Sequence, residues 1–94
     1  ENRKNIKILI DDIIFIESQK EYVRIVCENN DIKTKLGITK IEKLFTDHNM
    51  LRVHRSFLVS IKKVTSYTKT QIDINGHLIP IGKYYQKEVL KQLE

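Results

Sequence analysis

Short stretches rich in β-branched residues recur along this chain, and polar or turn-forming residues close each of them. They are too short for helices, and those that alternate apolar with polar residues show the two-residue period of a strand. The stretches that we interpret as strands are residues 6–10, 13–16, 22–27, 32–36, 51–57 and 77–81, with looser alternation over residues 64–74. Because most connections between them are of hairpin length, we predict a mainly β fold with mostly antiparallel sheets.

The pair Asn75-Gly76 is the clearest turn signal in the chain, because both residues tolerate a positive φ. It predicts a hairpin whose return strand covers residues 77–81. Pro80 has no N–H to donate to a neighbouring strand. We therefore expect this return strand to lie at the edge of a sheet.

Two segments show helical spacing instead. The apolar residues that share one helical face after residue 37 are Ile38, Ile41, Leu44 and Phe45. Thr39 and Glu42 have the spacing of a capping box, which predicts a short helix from about residue 40 to residue 46 or 47. A second amphipathic pattern predicts a terminal helix over residues 83–93.

The size and charge of the chain limit what it can be. With 94 residues we predict one domain over residues 1–94, cut from a longer protein, with residues 1–5 as a linker remnant. A net charge of +5 favours a polyanionic partner, either nucleic acid or an anionic membrane surface touched from outside. No apolar run is long enough to span a bilayer, and a single cysteine cannot form an internal disulfide. We therefore expect a cytoplasmic protein, in which strand alternation gives Cys27 a packing role.

Residues 51–60 interrupt a strand-like run with cationic and hydrogen-bonding side chains. These are Arg52, His54, Arg55 and Ser56. No Asp or Glu stands between His48 and Ile72, so this segment has a positive potential that attracts anions, although a protective strand edge has a similar composition. In a regular strand Arg55 would share a face with apolar neighbours. We expect the strand to end or bulge there and to turn the guanidinium outward.

The sequence contains no recognisable catalytic motif. His48, His54 and His77 lack the spacing of a metal site, and we predict no metal and no cofactor. In a strand, His54 and Ser56 would share a face as base and nucleophile, but no orienting group or oxyanion motif accompanies them. We therefore predict that the chain is not an enzyme. Nucleic-acid binding fits better, because the planar fork of Arg55 matches the two major-groove acceptors of guanine.

Five pieces of the chain carry a family resemblance. They are Asp12-Ile13-Ile14-Phe15-Ile16-Glu17-Ser18, Tyr22-Val23-Arg24-Ile25, Leu44-Phe45, Arg52-Val53-His54-Arg55-Ser56-Phe57-Leu58-Val59 and Ile79-Pro80-Ile81-Gly82-Lys83-Tyr84-Tyr85. In this order they span nearly the whole chain, which resembles the LytTR DNA-binding domain. The resemblance implies an elongated stack of small antiparallel sheets with two short helices, which binds double-stranded DNA through loops. It also implies the output domain of a bacterial two-component response regulator, with an upstream receiver domain and two copies on a repeated DNA site.

The same resemblance maps the DNA contacts. Base contacts are expected from Gln19, Lys20, Arg55 and Lys83. Contacts to the DNA backbone are expected from hydroxyl, imidazole and cationic side chains, which can donate to phosphate oxygens: Ser18, Tyr22, Arg52, His54, Ser56, Lys62 and Lys63. Two departures from the common pattern are Ser60, where many relatives have Asn, and Lys83, which replaces a frequent Arg and cannot make the bidentate guanine contact. The alternative is an RNA-binding or protein-interaction module that uses the same basic face.

Overall fold

Two antiparallel sheets contain most of the residues that form regular secondary structure, which confirms the predicted mainly β fold. The computed structural model describes residues 7–94, so the predicted linker over residues 1–5 lies outside the described residues, as does Ile6. The strands are β1 (Ile13–Ser18), β2 (Val23–Cys27), β3 (Asp31–Thr34), β4 (Met50–His54), β5 (Phe57–Ser60), β6 (Val64–Tyr67), β7 (Gln71–Ile74) and β8 (His77–Pro80). The α-helices are α1 (Ile38–Leu44) and α2 (Gln86–Leu93), and 3-10 turns cover Ile10–Asp12, Ile61–Lys63 and Lys83–Tyr85.

The larger sheet has the strand order β3-β2-β1-β5-β4, and the smaller sheet has the order β6-β7-β8. All neighbouring strands in both sheets run antiparallel. The molecule measures 47 × 23 × 23 Å, in agreement with the predicted elongated stack. Because β1 is the central strand and both of its faces are covered, residues 13–16 are apolar throughout instead of alternating.

The buried side chains form two clusters on opposite faces of the larger sheet. The cluster shared with the smaller sheet and α2 contains Ile14, Phe15, Val26, Val53, Val59, Ile72, Ile74, Ile79, Ile81 and Val89. The cluster shared with α1 contains Ile13, Ile16, Val23, Ile25, Cys27, Ile38, Ile41 and Leu58. A bulge in β1 between Ile13 and Phe15 places two successive side chains, Ile14 and Phe15, in the same cluster.

The structure confirms three local predictions. Asn75 and Gly76 have φ angles of 53° and 84°, and they form the tight turn between β7 and β8. Within residues 7–94, β8 pairs only with β7, so Pro80 lies on an edge strand. Cys27 is 7% exposed and packs with Val23 in the cluster under α1. Burial of the Cys27 thiol raises its pKa, because an apolar environment disfavours the thiolate.

The strand predicted over residues 6–10 is wrong for the described residues. Residues 7–9 lie in no strand, and a 3-10 turn follows in which the Asp12 N–H donates to the Leu9 carbonyl at 2.9 Å. Ile8 instead packs against the cluster under α1 from an irregular segment. Its apolar character therefore reflects burial against this cluster and not pairing with a neighbouring strand.

Both helices differ from their predicted bounds. Helix α1 begins at Ile38 after Gly37, which makes no side-chain capping bond, so the predicted capping box is wrong. Glu42 is turned away from the helix start and forms an ion pair with Arg52 at 2.7 Å. The predicted terminal helix over residues 83–93 begins as a 3-10 turn and becomes an α-helix only at Gln86.

Candidate nucleic-acid interface

Two backbone hydrogen bonds bring three distant segments together at one end of the larger sheet. The Ser18 N–H donates to the Ser56 carbonyl at 2.8 Å, which joins the β1–β2 turn to the β4–β5 turn. The Gly82 N–H donates to the Val53 carbonyl at 2.8 Å and adds the start of the last 3-10 turn. We call these segments, residues 18–22, 54–56 and 82–84, the turn surface. The predicted base-contacting residues within it are Gln19, Lys20, Arg55 and Lys83.

Arg55 lies at the apex of the β4–β5 turn. The single strand predicted over residues 51–57 is wrong, because β4 bulges between Arg52 and His54 and the chain reverses at Arg55-Ser56. The expectation that the strand ends or bulges at Arg55 is confirmed, and its side chain is exposed. Among residues 7–94 no carboxylate forms an ion pair with Arg55. Its guanidinium is therefore available to acceptors on another molecule.

The side chain of His54 stabilises the β4–β5 turn through contacts with Ser56 and Phe57. The Ser56 N–H donates to Nδ1 of His54 at 3.0 Å, which places the proton of the neutral ring on Nε2. The His54 ring also meets Phe57 edge-on, with 5.6 Å between ring centroids. A Cβ on Gly82 would lie 3.5 Å from the His54 Cα and 3.1 Å from Tyr85 Cδ2. A side chain at Gly82 would thus be in ordinary contact with the β4–β5 turn, and its tight contact would be with Tyr85 in the same 3-10 turn.

Arg52 points back into the protein, and its side chain is only 12% exposed. Its Nε donates to the His54 carbonyl at 2.8 Å, and one terminal nitrogen donates to the Arg55 carbonyl at 2.6 Å. The other terminal nitrogen donates to the Glu42 carboxylate on α1 at 2.7 Å. Each of the three guanidinium nitrogens thus donates one hydrogen bond to the turn or to α1. The DNA-backbone contact expected of Arg52 stays a prediction, and these bonds do not favour it.

The β1–β2 turn is supported by a chain of polar contacts. Arg24 on β2 forms ion pairs with Glu17 at 3.0 Å and with Asp31 at 2.9 Å. The hydrogen bond to Glu17 is the largest cause that raises the pKa of Arg24 above its ordinary value. Gln19 donates to the same Glu17 carboxylate at 3.3 Å, whereas Lys20 is exposed at the tip of the turn. Lys20 can therefore reach a ligand directly, and Gln19 must exchange one internal hydrogen bond to do so.

The remaining predicted contacts of this end of the sheet are Ser18, Tyr22 and Lys83. Ser18 and Tyr22 are half-buried, and the Lys33 ammonium lies 4.7 Å from the centre of the Tyr22 ring. Lys83 is exposed, and its neighbour Tyr84 is fully exposed. Tyr84 was not among the predicted contacts. Its exposure beside Lys83 makes it a further candidate contact.

Lys62 and Lys63 do not join the turn surface. They follow β5 at its opposite end, roughly 17 Å from Ser56 by the rise of a strand. Lys62 is largely exposed and lies 3.3 Å from Asp11, whereas Lys63 is 20% exposed and lies 2.6 Å from Glu28. Lys63 also donates to the Asp11 carbonyl. Of this pair, Lys62 is the one that can turn to a phosphate at little cost.

No helix within the described part of the chain is both long and apolar enough to cross a bilayer. The larger open grooves contain no cluster of acidic, histidine or cysteine side chains, and residues 7–94 hold no group of such residues that could bind a metal. The turn surface instead presents the exposed side chains of Lys20, Arg55 and Lys83. Such a surface suits a large partner that lies against the protein more than a small substrate that enters it.

Comparisons with known proteins agree with this geometry. The LytTr DNA-binding domain family matches residues 3–94. The sensory transduction protein LytT of Bacillus subtilis (strain 168) is 28% identical over 88 residues, which cover 87% of this chain and 36% of LytT. The chain therefore spans about a third of the length of that relative. A solved LytTr DNA-binding domain from Bacillus cereus has the same fold, with a TM-score of 0.83 at 19% identity over 94% of this chain and 86% of that one.

The family match covers nearly the whole chain. The predicted family resemblance and elongated fold are therefore confirmed. The chain belongs to the LytTR DNA-binding domain family.

Proposed function

We propose that this domain binds double-stranded DNA in a sequence-specific manner and controls transcription in the cytoplasm as the output domain of a two-component response regulator. The observation that carries the proposal is the exposed Arg55 at the apex of a turn held by three hydrogen bonds. An arginine without an internal ion pair, on a preorganised support, suits a base edge in the major groove. The proposal also rests on membership of the family.

The side chains of the turn surface have distinct roles in this proposal. Arg55 reads a guanine with its planar fork, and Lys20 and Gln19 contact bases from the β1–β2 turn. Lys83 supplies a point charge that reads a single acceptor or a phosphate. The groups proposed to bind phosphates around these contacts are Ser18, Tyr22, His54, Ser56 and Lys62. Arg52 and Lys63 are instead held by internal bonds to Glu42 and Glu28.

The dimensions of the domain favour binding along one side of a duplex. Its long axis of 47 Å exceeds the length of one turn of B-DNA, which is about 34 Å. We propose that the domain lies along one side of the duplex with its loops in successive grooves. We propose that two domains occupy a repeated site. Because LytT is almost three times as long as the matched region, we also propose an upstream receiver domain for this protein.

A selection experiment tests the function. The wild-type domain is used to enrich duplexes from a library with a random central segment, and its affinity is then measured for an enriched duplex, a scrambled duplex of the same composition and a single-stranded RNA of equal length. Specific binding should exceed binding to the scrambled duplex by roughly a thousandfold or more at physiological salt.

Each outcome has a defined meaning. Failure to enrich any motif, with equal affinity for both duplexes, contradicts sequence-specific recognition. Tighter binding of the single-stranded RNA than of the enriched duplex assigns the basic face to RNA instead. Absence of binding to all three nucleic acids assigns it to a protein partner.

A further inference from the structure

Arg52 connects two parts of the molecule that the sequence separates. Its guanidinium reaches from β4 to the two carbonyls at the base of the β4–β5 turn, those of His54 and Arg55. Its third bond runs to Glu42 on α1. Because the side chain of Arg52 is 12% exposed and that of Glu42 is 43% exposed, the ion pair lies at the boundary between core and solvent.

These bonds act on the backbone that presents Arg55. The Arg55 carbonyl accepts from Arg52, while the Arg55 side chain points outward. A planar guanidinium with donors in fixed directions holds both carbonyls in one orientation, which an ammonium cannot do. A turn that is already ordered before binding loses less conformational entropy in the complex. Less of the binding energy of the Arg55 contact is then spent on ordering the turn.

From this geometry we infer that Arg52, oriented by Glu42, is a positioning residue that sets the β4–β5 turn for DNA recognition and does not itself contact DNA. The inference rests on the proposed function and assigns Arg52 differently from the phosphate contact expected from the sequence. It also gives α1 a part in DNA recognition, because the helix supplies the carboxylate that orients Arg52.

Because Glu42 is negatively charged, the inference can be tested by whether its replacement raises or lowers the affinity for DNA. Removing a carboxylate from a protein that binds a polyanion strengthens binding when only the overall field matters. The Glu42→Gln substitution should do the opposite here, because it releases the guanidinium from α1 and loosens the turn. We expect about a fivefold loss of affinity for the enriched duplex, the scale of a partly exposed ion pair, and little loss for the scrambled duplex.

Arg52→Lys separates positioning from a phosphate contact. The substitution retains the positive charge but cannot form the bonds to both carbonyls and to Glu42 at once. A residue that binds a phosphate would tolerate this change and keep the same salt dependence of binding. A positioning residue should lose about tenfold in affinity for the enriched duplex, with the slope of log affinity against log salt unchanged.

The experiment measures the affinities of wild type, Glu42→Gln, Arg52→Lys and the control Asp47→Asn for the enriched and scrambled duplexes at several salt concentrations. Asp47 follows α1, is exposed and forms no ion pair within the described chain, so its substitution removes the same charge without touching the turn. Asp47→Asn should bind both duplexes equally well or more tightly. Circular dichroism melting of each variant confirms that the domain is folded at the temperature of the binding assay.

The outcomes distinguish the inference from the proposed function. If wild type fails to discriminate between the two duplexes, the proposed function is wrong. If wild type discriminates and Glu42→Gln binds the enriched duplex as tightly as Asp47→Asn does, the positioning role is wrong. Arg52→Gln is measured alongside these variants, and a salt slope that becomes shallower by about one in Arg52→Gln would assign Arg52 to a phosphate. Should Arg52→Lys unfold, Glu42→Gln still decides the question, because its carboxylate is partly exposed.

Discussion

Replacement of Arg55 by alanine tests whether this exposed side chain contributes to DNA recognition and not to the stability of the fold. The side chain makes no ion pair with residues 7–94, and only its backbone carbonyl takes part in the hydrogen bonds of the turn. The substitution therefore removes no interaction that stabilises the fold. We expect the free energy of unfolding to change by no more than about 0.5 kcal/mol, as at other exposed positions.

The effect on binding should be much larger. A bidentate contact between arginine and guanine contributes about 1–3 kcal/mol of discrimination, which corresponds to a factor of roughly 5 to 150 in affinity. Arg55→Lys should recover only part of this loss, because an ammonium retains the charge without the fork. Lys91→Ala on α2 serves as the control, since it removes another exposed positive charge that lies outside the turn surface.

Fluorescence anisotropy with the enriched and scrambled duplexes provides the affinities, and thermal melting provides the stability. We expect Arg55→Ala to lose affinity mainly for the enriched duplex, while Lys91→Ala loses little for either. An equal loss on both duplexes would place Arg55 on a phosphate. A lowered melting temperature with unchanged binding would make it a structural residue, and either result would refute the reasoning.

Three further predictions concern other parts of the molecule. The affinity of wild type for DNA should fall as salt rises, with a slope of log affinity against log salt of roughly −4 to −7. Lys62→Ala should make this slope shallower by about one on every duplex. An unchanged slope in Lys62→Ala would exclude a phosphate contact by Lys62. Burial raises the pKa of the Cys27 thiol, so little thiolate exists at neutral pH. A bulky thiol reagent should therefore modify Cys27 far more slowly in the native domain than in the urea-unfolded chain. Equal rates of modification would contradict the packing role of Cys27. Gly76→Ala should lower the free energy of unfolding by about 1 kcal/mol in urea titrations, because the φ of 84° strains a residue with a Cβ, and an unchanged midpoint would refute this account of the turn.

Features with a local cause could be predicted from the sequence. The Asn75-Gly76 turn, the edge position of Pro80 and the burial of Cys27 follow from backbone preferences and strand alternation, which act over a few residues. The outward direction of Arg55 followed from the cost of burying a charge beside apolar neighbours. The absence of Asp and Glu between His48 and Ile72 also indicated that Arg55 has no acidic ion-pair partner nearby in the sequence.

Features that depend on distant partners could not be predicted in this way. Glu42 has the spacing of a capping residue, yet it pairs with an arginine ten positions further along the chain. Lys63 is joined to Glu28 across 35 positions. Alternation also suggested a strand at Ile8, which packs against the core without pairing. In each case a tertiary contact decided the outcome, and the local pattern could not identify the partner.

The central claim is that the three segments of the turn surface form one contact surface for DNA. Titration of the ¹⁵N-labelled domain with an enriched duplex, followed by amide chemical shifts, tests this claim most directly. We expect the largest shifts to cluster at residues 18–22, 54–56 and 82–84, and the amides of Asn75 and Gly76, at the opposite end of β8 from Gly82, to change little. Large shifts at Asn75 and Gly76, with the three turns unaffected, would contradict the claim.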